Sequence, residues 1–166
     1  NFALRYYGSN GLSSSAPKNT STITHVEIVY GTKLTEEDIT FLSSLDRVED
    51  LSIGGNMQDE FVEIEGSLSP FGKLRSLKSI FLCKNKMVDS DLEFVSRLPA
   101  LEYLEFVGNT NPIGQDGPFV TDDSAVFLSR ATALRDLCVI GGDRLTDRFV
   151  SVISTDLKNL EHLDID

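Results

Sequence analysis

The side chains of this sequence that could act as nucleophiles, general bases or metal ligands are few and lie far apart along its 166 residues. They are Cys83, Cys138, His25, His162 and the acidic runs at residues 36–38 and 122–123. Two thiols could form a disulfide, hold a zinc ion together with the imidazoles, or act as nucleophiles beside a histidine base. The acidic runs have the oxygen ligands that calcium prefers. Each of these chemistries requires the side chains to meet in space, which depends on the elements that carry them.

One apolar pattern recurs six times between residue 23 and the end of the chain. Each copy has an apolar residue, two variable residues, a second apolar residue, one variable residue and a third apolar residue. The copies are Ile23/Val26/Ile28, Val48/Leu51/Ile53, Leu77/Ile80/Leu82, Leu101/Leu104/Phe106, Leu134/Leu137/Val139 and Leu160/Leu163/Ile165. Three copies continue to an asparagine (Asn56, Asn85, Asn109) and two to a glycine (Gly31, Gly142). Such a recurrence indicates a repeat architecture.

Each repeat changes its periodicity half-way. The first half alternates, as in residues 48–53, and alternation predicts a half-buried strand. The second half places apolar residues on one helical stripe, as at Leu92, Val95 and Leu98. A threonine followed by acids precedes several stripes, which suits a helix N-cap and the positive end of a helix dipole. These threonines are Thr35, Thr121 and Thr146. A repeated strand and helix predicts a parallel sheet with helices behind it.

The apolar spacing is similar to that of the leucine-rich repeat family, whose consensus ends in asparagine or cysteine. The second halves, at residues 34–36, 87–89, 120–122 and 145–147, resemble the cysteine-containing subclass and the related bacterial repeats, although the cysteine of that subclass is absent. The resemblance covers residues 23–166. It implies an α/β fold, a leucine-rich-repeat solenoid in a horseshoe arc, with a parallel β-sheet on the concave face and helices on the convex face.

The chain is expected to form a single domain. Residues 23–166 make about five repeats plus a final strand, and residues 1–22 make an amino-terminal capping strand, placed at residues 2–7, and a loop. Pro70 and Gly72 predict only a short turn or helix in the second repeat. Because the chain does not begin with methionine, we interpret it as a piece of a longer protein. Its end on a strand has two explanations: the natural chain continues, or Asp164 and Asp166 deter pairing at the open edge.

A partner-binding surface is predicted on the concave face, where the variable residues of each strand point. Its residues are Val29, Asp50, Phe81, Cys83, Tyr103, Glu105, Val107, Asp136, Cys138 and Ile140. Val29, Cys83, Val107 and Ile140 should form an apolar column, and Asp50, Glu105 and Asp136 an acidic one. Aromatic anchors beside charges are typical of binding hot spots. Two alternatives stay open: the insertions at residues 57–66 and 110–120 cover the apolar column, or the column has no role.

The register also separates the residues that could do chemistry. Cys83 and Cys138 fall two strands apart, roughly 10 Å, which is too far for a disulfide. His25 and His162 fall at opposite ends of the sheet, so neither can join the other at a metal. The acids stand at predicted helix starts, where the dipole explains them. We therefore expect no catalytic residue, no metal site and no cofactor.

Charge narrows the class of partner. The net charge of -11 disfavours nucleic acid and anionic membranes and favours a basic or neutral protein, although surplus acid also promotes solubility. No apolar run approaches the ~18 residues of a membrane span, and two cysteines are too few for a disulfide scaffold. The predicted function is a protein-binding scaffold. The alternatives are a self-assembling module that dimerises through its carboxyl-terminal edge and, as the subclass resemblance implies, substrate recognition for a ubiquitin ligase.

Overall fold

The computed structural model describes residues 2–6, 12, 20–29, 32–54, 62–84, 86–107 and 120–166. In this part of the chain, short strands alternate with helical segments. The strands are β1 (Phe2–Tyr6), β2 (Ile23–Ile28), β3 (Lys33–Leu34), β4 (Asp50–Ile53), β5 (Glu63–Ile64), β6 (Ser79–Cys83), β7 (Tyr103–Val107), β8 (Asp136–Ile140) and β9 (His162–Ile165). The α-helices are α1 (Glu36–Ser43), α2 (Ala125–Leu128) and α3 (Asp147–Asp156), and the 3₁₀ helices are η1 (Ser69–Lys73), η2 (Asp89–Arg97) and η3 (Asp122–Ser124).

Seven strands form one sheet in which every neighbouring pair is parallel. Their order, β1-β2-β4-β6-β7-β8-β9, is their order along the chain. Two further strands, β3 and β5, pair in a separate parallel sheet. Parallel neighbours require a crossover connection, and from β2 to β9 each connection between neighbouring strands of the seven-stranded sheet contains a helical segment. The chain is therefore an α/β protein, as the change of periodicity within each repeat predicts.

A strand lies at the amino terminus over residues 2–6, where the sequence predicts a capping strand at residues 2–7. β1 pairs in parallel with β2 and places Leu4 beside Val26 and Tyr6 beside Ile28. The side chain of Tyr6 is buried in the same core as the strands that follow. The backbone N–H of Leu12 donates to the carboxylate of Asp38 over 2.6 Å. This bond ties the amino-terminal segment to the first turn of α1.

The recurring apolar residues occupy two rows that run across the sheet. One row is Val26, Leu51, Ile80, Leu104, Leu137 and Leu163; the next is Ile28, Ile53, Leu82, Phe106, Val139 and Ile165. Side chains alternate along a strand, so both rows point to the same face of the sheet. That face is the core, and its members from β2 to β8 are buried. The pairing matches residue for residue the register that the apolar pattern predicts.

The helical segments cover the core face and pack on one another in chain order, α1 on η1, η1 on η2, η2 on α2 and α2 on α3. Phe71 of η1 meets Phe94 of η2 edge to face, with ring centroids 5.9 Å apart. The second repeat has only the five-residue η1, with Pro70 in its first turn, as Pro70 and Gly72 predict. Leu92 and Val95 of the predicted apolar stripe lie in the 3₁₀ helix η2, in which residues three apart eclipse, and Leu98 is its C-cap.

The threonines predicted as N-caps hold that position. Thr35 and Thr146 cap α1 and α3, and Thr121 caps η3. Two acids bind the N-cap threonine of the following unit, and one of them, Asp122, belongs to the acidic runs that the sequence analysis attributed to the helix dipole. Asp89 accepts hydrogen bonds from the Thr121 N–H and hydroxyl, each 2.7 Å long. Asp122 accepts the equivalent pair from Thr146, 2.8 and 2.6 Å long, so carboxylate–threonine bonds join successive units.

Several sequence predictions lie outside the described residues. They concern Asn56, Asn85, Asn109 and Gly31, the second insertion up to residue 119 and the first insertion up to residue 61. Gly142 is buried, and a Cβ added there would lie 2.8 Å from the Ile165 Cγ2, which explains why a small residue stands at this point. In the residues that the structure does describe, no helix has the length and apolarity needed to cross a membrane.

Candidate functional site

The face of the sheet opposite the helices carries two rows of solvent-accessible side chains, here called the open face. The first row is Ala3, His25, Asp50, Ser79, Tyr103, Asp136 and His162; the second is Arg5, Glu27, Ser52, Phe81, Glu105, Cys138 and Asp164. All fourteen are exposed or partly exposed. Six of the ten residues predicted to bind a partner belong to these rows, namely Asp50, Phe81, Tyr103, Glu105, Asp136 and Cys138.

The predicted apolar column does not lie open. Val29, Cys83 and Val107 are only 9%, 5% and 3% exposed, while Ile140 is partly exposed. The expectation of four accessible side chains is therefore wrong for three of them. Apolar neighbours in register shield one another from water, and Cys83 lies beside Val107 in the pairing of β6 with β7. The residues proposed to cover this column fall mainly outside the described part of the chain.

The centre of the open face is aromatic and acidic. Tyr103 is 36% exposed, and its hydroxyl donates to the Glu105 carboxylate two residues along the same strand. This hydrogen bond, with partial burial, raises the pKa of Tyr103 well above its usual value, so the phenol stays a donor. Phe81 is opposite Glu105 on the next strand. A Cβ added at Gly54 would lie 3.2 Å from the Phe81 Cε1, so the absent side chain leaves room for the ring.

Charge on the open face is predominantly negative. Its two rows contain five carboxylates, those of Glu27, Asp50, Glu105, Asp136 and Asp164, and one arginine, Arg5. Arg5 already forms an ion pair with Glu27. In the first row His162 is the last member and His25 the second, and the His162 Nε2 is 4.0 Å from an Asp136 carboxylate oxygen. A basic surface would therefore complement this face.

Cys138 is the accessible thiol of the open face. Partial burial, followed by the charges of Glu105, Asp164 and Asp166, raises its pKa. A thiol with a raised pKa stays protonated near neutral pH and is a poor nucleophile. Cys83 is a buried thiol whose pKa is also raised by burial. It lies on β6, two strands from Cys138 on β8, so the separation that the register predicts is confirmed.

A shallow cavity of about 490 Å³ lies at the amino-terminal end of the open face. It is lined by Ala3 and Arg5 of β1, His25 and Glu27 of β2, and Asp50 and Ser52 of β4. The sequence prediction did not include Ala3 or Arg5. The alternation of β1 was sufficient to place them, because Leu4 and Tyr6 face the core and their neighbours must then face outward.

A ladder of alternating charges borders the open face where the strands begin. Its members, Glu49, Lys78, Glu102, Arg135 and Glu161, are joined by backbone hydrogen bonds from each unit to the next. The Lys78 Nζ is 2.9 Å from Glu49, and Arg135 is 2.6 Å from Glu161. The hydrogen bond from Lys78 lowers the pKa of Glu49 and raises that of Lys78. The two ion pairs neutralise four of the five charges in the ladder, so most of the unpaired negative charge on this side of the sheet belongs to the open face.

The geometry does not assemble the predicted chemistry-bearing residues into one site. His25 is on β2 and His162 on β9, at nearly opposite ends of the sheet, and the acids at residues 122–123 take part in caps and an ion pair. Within the described residues, no group of three histidine, cysteine or carboxylate side chains is placed to hold a metal ion. A scan against protein-family models and a search of curated proteins found no match to the chain.

Proposed function

We propose that the protein is a leucine-rich-repeat solenoid that binds a basic or neutral protein segment on its open face. The solenoid interpretation is supported by the strand order, which follows the chain, and by helical segments that pack only in sequence order. Stacked strand–helix units produce a curved sheet, with the strands on its concave side. The open face would then line the concave surface of the arc.

One observation carries the binding proposal: a continuous face of side chains that the described residues leave uncovered, with Tyr103 and Phe81 at its centre. Seven strands about 4.8 Å apart span roughly 29 Å, enough for an extended or helical segment. A few residues supply most of the binding energy at protein interfaces, and tyrosine, tryptophan and arginine are enriched among them. The five carboxylates favour lysine or arginine on the partner, and such attraction weakens as salt is added.

A retention experiment tests this proposal. The native protein, a Phe81→Ala/Tyr103→Ala variant and a Val126→Ala/Val150→Ala control are immobilised and exposed to lysate of the source cells. Val126 and Val150 are 49% and 40% exposed and lie on the helical side, so the control removes apolar surface of the same kind elsewhere. We expect a protein that the native chain and the control retain and the open-face variant loses. Equal retention by all three would contradict a site on the open face.

Self-assembly is a second candidate, favoured by the β9 edge. Leu163 and Ile165 are partly exposed, whereas their neighbours in register, Leu137 and Val139, are 1% and 0% exposed. A homodimer formed along β9 would bury them. Sedimentation velocity at micromolar concentrations distinguishes the candidates: a dimer that Leu163→Asp dissociates supports assembly, and a monomer at all concentrations contradicts it. The ubiquitin-ligase role implied by the subclass resemblance stays a prediction.

A further inference from the structure

A second concave feature lies on the helical side of the molecule, which is the side opposite the open face. It is a pocket of about 690 Å³ between η1 and η2. Its size falls within the range of small-molecule sites, about 300–1,000 Å³. The sequence explains the space: Pro70 and Gly72 limit η1 to five residues, while η2 runs for nine. Gly72 contributes no side chain to fill the gap.

The polar lining of the pocket consists of hydrogen-bond donors. The polar side chains are Ser67, Ser69, Lys73, Arg75 and Arg97, and no carboxylate is among the lining residues. Both serine oxygens already accept a bond: Ser67 from the Ser69 N–H, and Ser69 from the Arg97 guanidinium. Their hydroxyl protons are therefore left to donate to a ligand. An acceptor-only ligand, which is to say an anion, matches this lining.

Arg97 is held in place by its surroundings. One guanidinium nitrogen donates to the Ser69 carbonyl over 3.0 Å and to its hydroxyl over 2.8 Å. The Nε lies so close to Gly72 that an added Cβ there would be 2.5 Å away. Arg75 in turn donates to the Arg97 carbonyl over 3.0 Å. A guanidinium has five N–H donors, so both arginines keep donors for a ligand while the bonds already made fix their positions.

The three cations of the pocket are not neutralised by acids of the described chain. Among the described residues, neither arginine forms an ion pair, and the Lys73 side chain has no ion-pairing or hydrogen-bonding partner. This is notable in a protein with 26 acidic residues and 15 basic ones. Glu93 precedes Arg97 by four residues, and the Asp46 carbonyl accepts a hydrogen bond from Ser76. Neither carboxylate forms an ion pair with the three cations. The local potential is therefore positive on a molecule that is negative as a whole.

We propose that this pocket binds a phosphoryl group, carried by a small molecule or by a phosphorylated side chain. A phosphoryl group has a charge near -2 and three strong acceptor oxygens, which matches three cations and two hydroxyl donors. Arginine pairs with phosphate through parallel N–H bonds. A carboxylate has less charge and fewer acceptors for the same lining. The site is independent of the open face, so either can fail without the other.

Calorimetric titration with inorganic phosphate at fixed ionic strength tests the proposal. We expect saturable binding at one site, weakened about tenfold or more by Lys73→Gln or Arg97→Gln, since each removes charge-assisted hydrogen bonds. Arg130→Gln is the matched control, because Arg130 follows α2 much as Arg97 ends η2 and does not line the pocket. It should change the affinity less than twofold. The absence of saturable binding, or equal losses in Arg97→Gln and Arg130→Gln, would overturn the proposal.

Gly72→Ala provides a test that alters no charge. The added Cβ would displace the Arg97 guanidinium, so phosphate affinity should fall as in Arg97→Gln, with circular dichroism to verify the fold. If that variant does not fold, the phosphate affinity of Lys73→Gln still tests the proposal, because among the described residues the Lys73 side chain forms no hydrogen bond or ion pair whose loss would destabilise the fold. Titration with a phosphoserine peptide and with a sugar phosphate distinguishes a phosphorylated side chain from a small molecule. The compound that binds about tenfold more tightly than the other shows which of the two carries the phosphoryl group. The Phe81→Ala/Tyr103→Ala variant must keep its phosphate affinity.

Discussion

Leu104 and Tyr103 are consecutive residues of β7 whose side chains point to opposite faces of the sheet, and truncating each should have very different consequences. Leu104 is 0% exposed and stands in register between Ile80 and Leu137. Leu104→Ala removes three buried carbons and leaves a cavity between two neighbouring strands. Buried leucine truncations cost about 2–5 kcal/mol. A site with stacked units on both sides cannot collapse easily, so we expect the upper half of that range.

Tyr103→Ala should cost less than about 1 kcal/mol, because the ring lies on the open face and an exposed hydrogen bond contributes little net stability. Urea denaturation followed by circular dichroism measures both variants against the native protein. The urea concentration at the unfolding midpoint should fall strongly for Leu104→Ala, while the dependence of the unfolding free energy on urea concentration stays unchanged. A loss below about 0.5 kcal/mol in Leu104→Ala would refute the register. Equal losses in the two variants would mean that the core and open faces are exchanged.

Three further predictions follow from contacts between successive units. Asp89→Ala leaves the Thr121 N–H and hydroxyl without their acceptor and should destabilise the protein by about 1–3 kcal/mol; Glu93→Ala, on the exposed side of η2, should change the urea midpoint little. The pKa of Asp122 is lowered, chiefly by the hydrogen bond from the Thr146 hydroxyl. The ionised Asp122 carboxylate should therefore stabilise the folded protein at pH values above the unfolded pKa of about 3.9. This stabilisation should be lost as the pH falls through the lower pKa that Asp122 has in the folded protein. The melting temperatures of native protein and Asp122→Asn should therefore differ at pH 6 and converge near pH 2, and a constant difference would contradict the assignment. Gly142→Ala places a Cβ 2.8 Å from Ile165 and should cost about 1–3 kcal/mol by thermal denaturation, whereas Gly→Ala at an open site would be neutral or stabilising.

The strand register was predictable from sequence because it depends on local alternation. Each of the six copies of the apolar pattern, such as Ile23/Val26/Ile28, places its last two apolar side chains on the same face of a strand. This placement follows from the strand itself and does not depend on its neighbours. The short η1 was predictable for a similar reason, since Pro70 constrains its own backbone. These features need no knowledge of which unit lies beside which.

Contacts between units were harder to predict. The bond from Thr121 to Asp89 joins residues 32 apart and depends on the lateral stacking of two units. The same stacking produces the bonds from Thr146 to Asp122, which the local helix-dipole explanation missed. The burial of Val29, Cys83 and Val107 likewise depends on neighbours outside their own strands. The Lys73, Arg75 and Arg97 cluster could not be recognised in sequence, because η1 and η2 must first pack together. The charge ladder that includes Glu49 and Lys78 could have been predicted by comparing equivalent positions in successive repeats.

Site-specific photo-crosslinking tests the proposed protein-binding face most directly. A photoreactive phenylalanine analogue replaces Ser79, which lies beside Tyr103 on the open face, or Val126 on the helical side, and each protein is irradiated in lysate of the source cells. The proposal predicts a discrete heavier adduct from position 79 that weakens at high salt, and none from position 126. An adduct from position 126 alone, or none from position 79, would contradict a partner-binding open face.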